Sequence, residues 1–406
     1  MQTRLSPAVQ NTPWGREAES ILRSCVHCGF CNATCPTYQL LGDELDGPRG
    51  RIYQIKQALE GRPLSAATQI HLDRCLTCLS CETTCPSGVR YGRLVEIGRQ
   101  VVDDQVPRTW HQRMLRRTLL ALFPHPERFG LLLKLGQWLR PLLPPEVRRI
   151  VPQPVAVPAW PPPRHKRKML VPDGCVQSRA APEINAAAAR VLDRVGISLM
   201  RVPETGCCGA LHQHLNEAGP AREHMRRNID AWWPRLKAGA EAIVMTAAGC
   251  GAVVKEYGCL LRDDPDYAVK AAGISAATRD LSEVLAAEEL SPLTITRPRR
   301  VAFQSPCSLQ HGQKLAGRVE DVLVRCGFEL TSVADPHLCC GAAGTYSLLQ
   351  AALAKQLRQN KLAALSAGQP QIIATANIGC LLHLGGAAEI PVRHWISLLD
   401  VPDATP

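Results

Sequence analysis

The sequence predicts an α+β protein of several domains, a helical N-terminal part followed by a pair of related α/β repeats. Three observations carry that expectation. Eight of the eighteen cysteines fall between Cys25 and Cys85, in two copies of one motif. The other ten lie between Cys175 and Cys380, where matching landmarks recur at offsets of 132, 132 and 130 residues. Throughout that second half, strand-like apolar runs alternate with helix-like ones, the pattern of a parallel sheet covered by helices.

Length and composition bound the reading. At ~100–200 residues per domain, 406 residues imply two or three domains. Thirty glycines and thirty-two prolines exclude collagen and wholesale disorder. A chain of this length buries its own core without disulfide staples, and its first twenty residues hold no apolar run of a secretory signal. The thiols are therefore expected in a reducing, cytoplasmic setting, where many cysteines mean metal or catalysis. A membrane-spanning helix needs ~20 apolar residues. The longest stretch without Asp, Glu, Lys or Arg, Leu362 to Ala388, is broken by Gly368, Gln369, Pro370, Gln371 and Asn377. The expectation is a soluble protein, or one peripheral on the inner face of the membrane.

In the first domain, residues 1–104, Cys25-x-x-Cys28-x-x-Cys31-x-x-x-Cys35-Pro36 recurs as Cys75-x-x-Cys78-x-x-Cys81-x-x-x-Cys85-Pro86. Three thiolates at three-residue steps wrap one face of a cubane cluster, and a fourth beside a turn-ending proline reaches across to the other cluster. Cys25, Cys28, Cys31 and Cys85 are thus expected on one [4Fe–4S] centre, and Cys75, Cys78, Cys81 and Cys35 on the other. Structural zinc favours separated Cys-x-x-Cys pairs on two knuckles instead. Arg49 to Glu60 reads as a helix between the motifs. Two cubanes move electrons and make no bonds, so this domain reads as a wire with no catalytic residue.

The middle segment, 105–168, has no cysteine. It carries thirteen Lys and Arg against Glu127 and Glu146, a net of +11, which equals that of the whole chain. It reads as a basic helix, Trp110 to Phe123, running into an extended proline-rich linker. Leu119, Leu120, Leu131–Leu133 and Trp138 offer an apolar side for a membrane surface or an acidic partner; a plain solvated linker is the alternative. Nucleic acid is disfavoured, since aromatic residues are only 4% of the chain and no nucleic-acid motif is present.

The repeats, 169–296 and 297–406, share their landmarks. Cys175, Cys207-Cys208-Gly209 and Gly249-Cys250 match Cys307, Cys339-Cys340-Gly341 and Gly379-Cys380. Strands are expected at Lys168–Val171, Ile197–Val202 and Ala242–Thr246, and again at Arg300–Phe303, Phe328–Val333 and Gln371–Thr375. Helices are expected at Pro182–Val195 and about Glu217–Ala238, then at Gln313–Cys326 and about Tyr346–Ala367. Each landmark cysteine follows the carboxyl end of a strand, where open α/β sheets gather their ligands. Cys175, Cys207, Cys208 and Cys250, and likewise Cys307, Cys339, Cys340 and Cys380, are candidate ligands of an additional cluster. Inert packing is the alternative. His311 and His383 lie near landmarks, whereas Cys259 and Cys326 lack counterparts and read as core. The repeats are expected to pack about a pseudo-twofold axis.

These motifs resemble a family of iron–sulfur subunits that includes those of heterodisulfide reductase, anaerobic glycerol-3-phosphate dehydrogenase, lactate-utilisation proteins and glycolate oxidase. The stretches Asp173–Gln177, Pro182–Ile197, Gly206–Glu217, Asn228–Pro234 and Thr375–Leu384 look most like the last. The resemblance implies electron transfer from an FAD-bearing partner that oxidises glycolate to glyoxylate, onward toward a membrane quinone, with no FAD on this chain. Lactate or glycerol-3-phosphate oxidation, or thiol–disulfide chemistry of the heterodisulfide-reductase kind, are the alternatives. The heterodisulfide-reductase repeats carry a fifth cysteine where this chain has Val253 and His383, which argues against a five-cysteine cluster.

Overall fold

The computed structural model of the chain describes residues 1–400 except 158 and 298, and leaves aside the side chains of 145–147. The last six residues of the second repeat therefore lie outside the description. Two compact units emerge: Met1–Arg117 with His337–Gln359, and Thr118–Pro336 with Asn360–Pro406.

The first unit is helical. Its main helices are Pro13–Ser24, Pro48–Leu59, Ala66–Asp73 and Tyr91–Gln105. Prolines set the starts of the first two. Pro13 sits in the first turn behind Thr12, whose hydroxyl accepts from the Gly15 N–H at 3.0 Å, and Pro48 opens the helix expected at Arg49–Glu60. Pro36, beside Cys35, opens the short helix Pro36–Leu41 and so turns the chain away from the thiol. Leu22, Ile55, Leu59, Leu72, Leu94 and Val95 form the dry centre, together with the cluster-motif residues Cys25, Cys75 and Cys81. Each buried aliphatic side chain contributes about 1.5–3 kcal/mol relative to exposure.

The second unit contains two parallel sheets. The first is built from β1 (Arg167–Val171), β2 (Ile197–Arg201), β3 (Ile243–Met245) and β4 (Thr278–Asp280), in the order β2-β1-β3-β4. The second, from β5 (Arg300–Gln304), β6 (Glu329–Leu330), β7 (Ile372–Thr375) and β8 (Val392–His394), repeats that order as β6-β5-β7-β8. All strand pairs are parallel, as the alternation of strands and helices demands. One core joins the repeats: Val171, Leu199 and Val244 pack in the same cluster as Val301, Phe303 and Trp395. Two side chains stitch them further. His394 Nε2–H donates to the Thr246 carbonyl at 2.9 Å, and Asn377 Oδ1 accepts from the Gly249 N–H at 3.1 Å.

Several elements differ from expectation. The helix expected at Gln313–Cys326 forms only over Arg318–Arg325, because Lys314 and Gly317 adopt left-handed φ values of +58° and +81°. The strand expected at Phe328–Val333 is two residues long, Glu329–Leu330, at the sheet edge. The long helix expected from Tyr346 is interrupted at Gln350 and resumes as Ala351–Ser366. The proline-rich segment holds two further helices, Pro126–Leu139 and Pro145–Ile150. Cys259 is exposed and so is no core residue, while Cys326 is fully buried.

Candidate metal centres

The two cysteine motifs fold into matching knuckles. In the first, His27 and Gly29 have φ +60° and +85°; in the second, Thr77 and Leu79 have +52° and +63°. These left-handed turns aim backbone N–H groups at sulfur. The His27 N–H bonds the Cys25 thiol, and the Thr77 N–H reaches Cys75 Sγ at 3.4 Å.

Cys25, Cys28, Cys31 and Cys85 line one cavity. Cys35, Cys75, Cys78 and Cys81 line a second. Cys81 borders both. The charge neighbours sort the same way: Cys25 and Cys31 sense Cys85, whereas Cys81 senses Cys78, Cys75 and Cys35 ahead of Cys31. The fourth cysteine of each motif therefore sits with the first three of the other. We call the first set the outer nest, because Cys28 is exposed between Val26 and Phe30, which are 68% and 65% exposed. The second set is the inner nest.

Burial pushes the Cys25, Cys35 and Cys81 thiols up, and Cys31 to about 11. Thiols held protonated in this way release protons when a metal centre binds. An all-thiol donor set, knuckled N–H groups aimed at sulfur and two cavities of this kind fit iron–sulfur cubanes.

Side chains that the sequence did not single out complete the inner nest. Arg51, 1% exposed, places Nη1 4.0 Å from Cys35 Sγ. The buried Tyr91 hydroxyl donates to Cys75 Sγ at 3.6 Å. Arg99 donates to the Leu72 and Cys75 carbonyls at 2.9 and 2.6 Å. Tyr346, in the first unit, donates to the Arg74 carbonyl at 3.2 Å. These are isolated polar residues within helical stretches, and no spacing marks them.

The Cys-Cys-Gly turns are alike in both repeats. The Gly209 N–H bonds Cys207 Sγ and the Gly341 N–H bonds Cys339 Sγ, each at 3.4 Å. Both glycines are obligatory. Their φ values are +88° and +89°, and a Cβ would lie 2.9 Å from the Ala221 carbonyl oxygen or 2.8 Å from that of Ala354.

In the first repeat the four thiols meet. Cys207 hydrogen-bonds Cys175 and Cys208, and Cys208 hydrogen-bonds Cys250. Those bonds hold the Cys208 thiol well below its usual range and the Cys207 and Cys250 thiols well above it. In the second repeat, Cys307 and Cys380 belong to the second unit, and Cys339 and Cys340 to the first. Asn377 Nδ2–H donates to Cys380 Sγ at 3.7 Å, so the residue that accepts from Gly249 also contacts this thiol. His311 lies in the π-turn, His383 near the end of the helix Ile378–Gly385, and Val253 is buried in the first repeat's core.

Residues 21–89 match the model of the 4Fe-4S dicluster domain, and residues 170–255 and 301–385 each match that of the cysteine-rich domain. Over 401 residues, 98% of either chain, the sequence is 55% identical to the glycolate oxidase iron-sulfur subunit of Escherichia coli strain K12. The chain belongs to the family of glycolate oxidase iron–sulfur subunits. A Bacillus subtilis strain 168 protein described as a probable glycolate oxidase iron-sulfur subunit is 31% identical over 93% of this chain and 91% of its own. Lactate utilization protein A of Bacillus velezensis is 26% identical and matches 56% of this chain and 96% of its own. Family membership makes the chain an iron–sulfur, 4Fe–4S-bearing subunit of an oxidoreductase that works with a catalytic partner. Among the described residues, no helix is long and apolar enough to cross a membrane.

Proposed function

We propose that this chain relays electrons within a glycolate-oxidising complex. A separate FAD-bearing subunit takes the electrons from glycolate, and this chain passes them toward a membrane acceptor such as a quinone. Cys25, Cys28, Cys31 and Cys85 hold one [4Fe–4S] cluster, and Cys35, Cys75, Cys78 and Cys81 the other. The observation that carries the reading is the sorting of eight thiols into two nests with crossed fourth members, in a chain 55% identical to a glycolate oxidase iron-sulfur subunit. The clusters supply one-electron redox chemistry; the chain's own groups donate N–H bonds to sulfur, exclude water and position fixed charge. Residues 1–104 serve as the wire, 105–168 as the attachment segment, and 169–296 and 297–406 as the cysteine-rich repeats. Cys175, Cys207, Cys208 and Cys250 are the candidate site for an additional cluster.

Purification with the flavoprotein tests this. Glycolate should bleach the visible absorption of a complex whose iron–sulfur subunit carries at least about eight iron atoms. The subunit purified alone should hold the iron, bind no FAD and leave glycolate unchanged. Clearly more than eight iron atoms would place a further cluster in the repeats. Zinc in place of iron, or glycolate oxidation by the isolated subunit, would overturn the reading.

The attachment segment suits an anionic membrane surface on the cytoplasmic side. On the helix Pro126–Leu139, Leu131, Leu132, Leu135 and Trp138 are 71%, 47%, 50% and 77% exposed. Arg113, Arg117 and Lys134 are exposed as well. Leu119, expected on this apolar side, is instead buried, and Arg116 is committed to Asp73 at 3.1 Å. Reversal of Arg113, Arg117 and Lys134 to Glu should therefore weaken attachment to anionic vesicles without touching the core. At about 1 kcal/mol for each basic side chain, the loss is about a hundredfold. Unchanged co-sedimentation would reduce the segment to a linker.

A further inference from the structure

The two nests differ sharply in how deeply the charge around them is buried. Arg51 is buried against the inner nest, with Nη1 4.0 Å from Cys35 Sγ, Nη2 donating to Thr37 Oγ1 at 3.1 Å and Nε donating to the His71 carbonyl at 2.8 Å. The guanidinium keeps its charge in spite of burial, with the carboxylate of Asp46 3.5 Å away. Arg99, 8% exposed, bonds the Cys75 carbonyl and Thr77 Oγ1.

The acids nearby do not cancel these cations. Asp46, fully buried, is shared among Arg51 at 3.5 Å, Arg74 at 2.7 Å and His71 at 3.0 Å. Asp73 is taken by Arg108 and Arg116, and Asp103 by Arg108. Three arginines thus face one carboxylate around the inner nest.

The charges around the outer nest are paired or open to solvent. Arg49 pairs with Glu44 at 2.6 Å, both partly exposed, and Glu17 pairs with Arg90 and Arg93. The ammonium of Met1 bonds the Cys25 carbonyl at 2.7 Å at a partly open site, where water and salt screen it.

We propose that Arg51, seconded by Arg99, makes the inner centre the easier of the two to reduce, so that an electron arriving at the exposed outer centre settles on the inner one. The proposal rests on the assignment of the eight cysteines to two [4Fe–4S] clusters. Reduction adds one negative charge to a cluster, with no bond made and no proton moved. A guanidinium cannot give up its charge, and at 1% exposure its attraction is little screened by solvent. Burial alone would make the inner centre the harder to reduce; the two cations and the Tyr91 hydroxyl on Cys75 reverse that order. Arg51 is here a positioning residue that acts through charge.

A redox titration of the holoprotein, followed by paramagnetic resonance, tests this. The inner signal is assigned as the one that Cys35→Ser removes. In the unmodified protein the inner centre should titrate above the outer. Arg51→Gln should lower the reduced-to-oxidised ratio of the inner centre at least tenfold at fixed potential, ~59 mV for one electron, and leave the outer centre in place. Arg51→Lys should restore most of the shift. If Arg51→Gln does not fold, Arg99→Gln should move the inner centre in the same direction. An outer centre above the inner in the unmodified protein, or an inner potential indifferent to Arg51→Gln, overturns the proposal. Fewer than two four-iron signals in the unmodified protein would instead sink the cysteine assignment beneath it.

Discussion

Serine in place of Cys35 is expected to abolish the inner centre and spare the outer one, although Cys35 belongs to the first motif in sequence. Its thiol lies 6% exposed in the cavity of Cys75, Cys78 and Cys81, and Pro36 starts a helix that leads the chain away behind it. A serine hydroxyl is a poor substitute for a soft thiolate on iron. Iron should fall from about eight atoms to about four, with one of two paramagnetic signals lost. Cys85→Ser should produce the mirror result, because Cys85 lines the cavity of Cys25, Cys28 and Cys31. The outcome that would refute the crossed arrangement is loss of the Cys25-type signal in Cys35→Ser. A purely local ladder, with all four ligands drawn from one motif, predicts that opposite pattern, so the pair of variants decides between them.

What could be read from the sequence follows from where the determinants lie. The knuckles were legible because three-residue cysteine spacing is itself the ligand geometry. The repeats were legible because cysteines at fixed offsets mark the ends of buried strands. The fourth strands, Thr278–Asp280 and Val392–His394, were not, since three residues carry no periodicity and form only by pairing with β3 and β7. Left-handed turns at Lys314 and Gly317 shortened an expected helix that the residue types alone permit. Nothing in the sequence marks Arg51 within the helix expected at Arg49–Glu60, because its partners come from positions 35, 37, 46 and 71. Arg116 likewise belonged to an apparently solvated charge run until Asp73 claimed it. Buried charge is specified by long-range partners, and local pattern cannot supply them.

Those long-range partners also govern how the second unit responds to acid, and His394 is the residue to watch. It is 2% exposed at the end of β8. Its Nε2–H donates to the Thr246 carbonyl of the other repeat at 2.9 Å, and its Nδ1 accepts from the Ile396 N–H at 3.4 Å. Burial pushes the imidazole down to about 4, against the pull of its carbonyl partner. The folded protein therefore keeps this histidine neutral down to about pH 4, while the unfolded chain binds a proton at about pH 6.5. The contribution is complete above pH 6.5 and is lost as the pH falls from there to 4. Over that window it amounts to about 3 kcal/mol, at 1.36 kcal/mol for each pH unit of difference. His394→Gln removes the titration and leaves a neutral amide near the Thr246 carbonyl. Urea unfolding, followed by tryptophan fluorescence with the buried Trp395 alongside, should find the unmodified protein more stable than the variant at pH 7.5. At pH 4.5 that margin should be smaller by up to about 3 kcal/mol. Parallel pH profiles for the two proteins would mean that His394 is solvated, and that the contact between repeats at Thr246 does not hold it neutral.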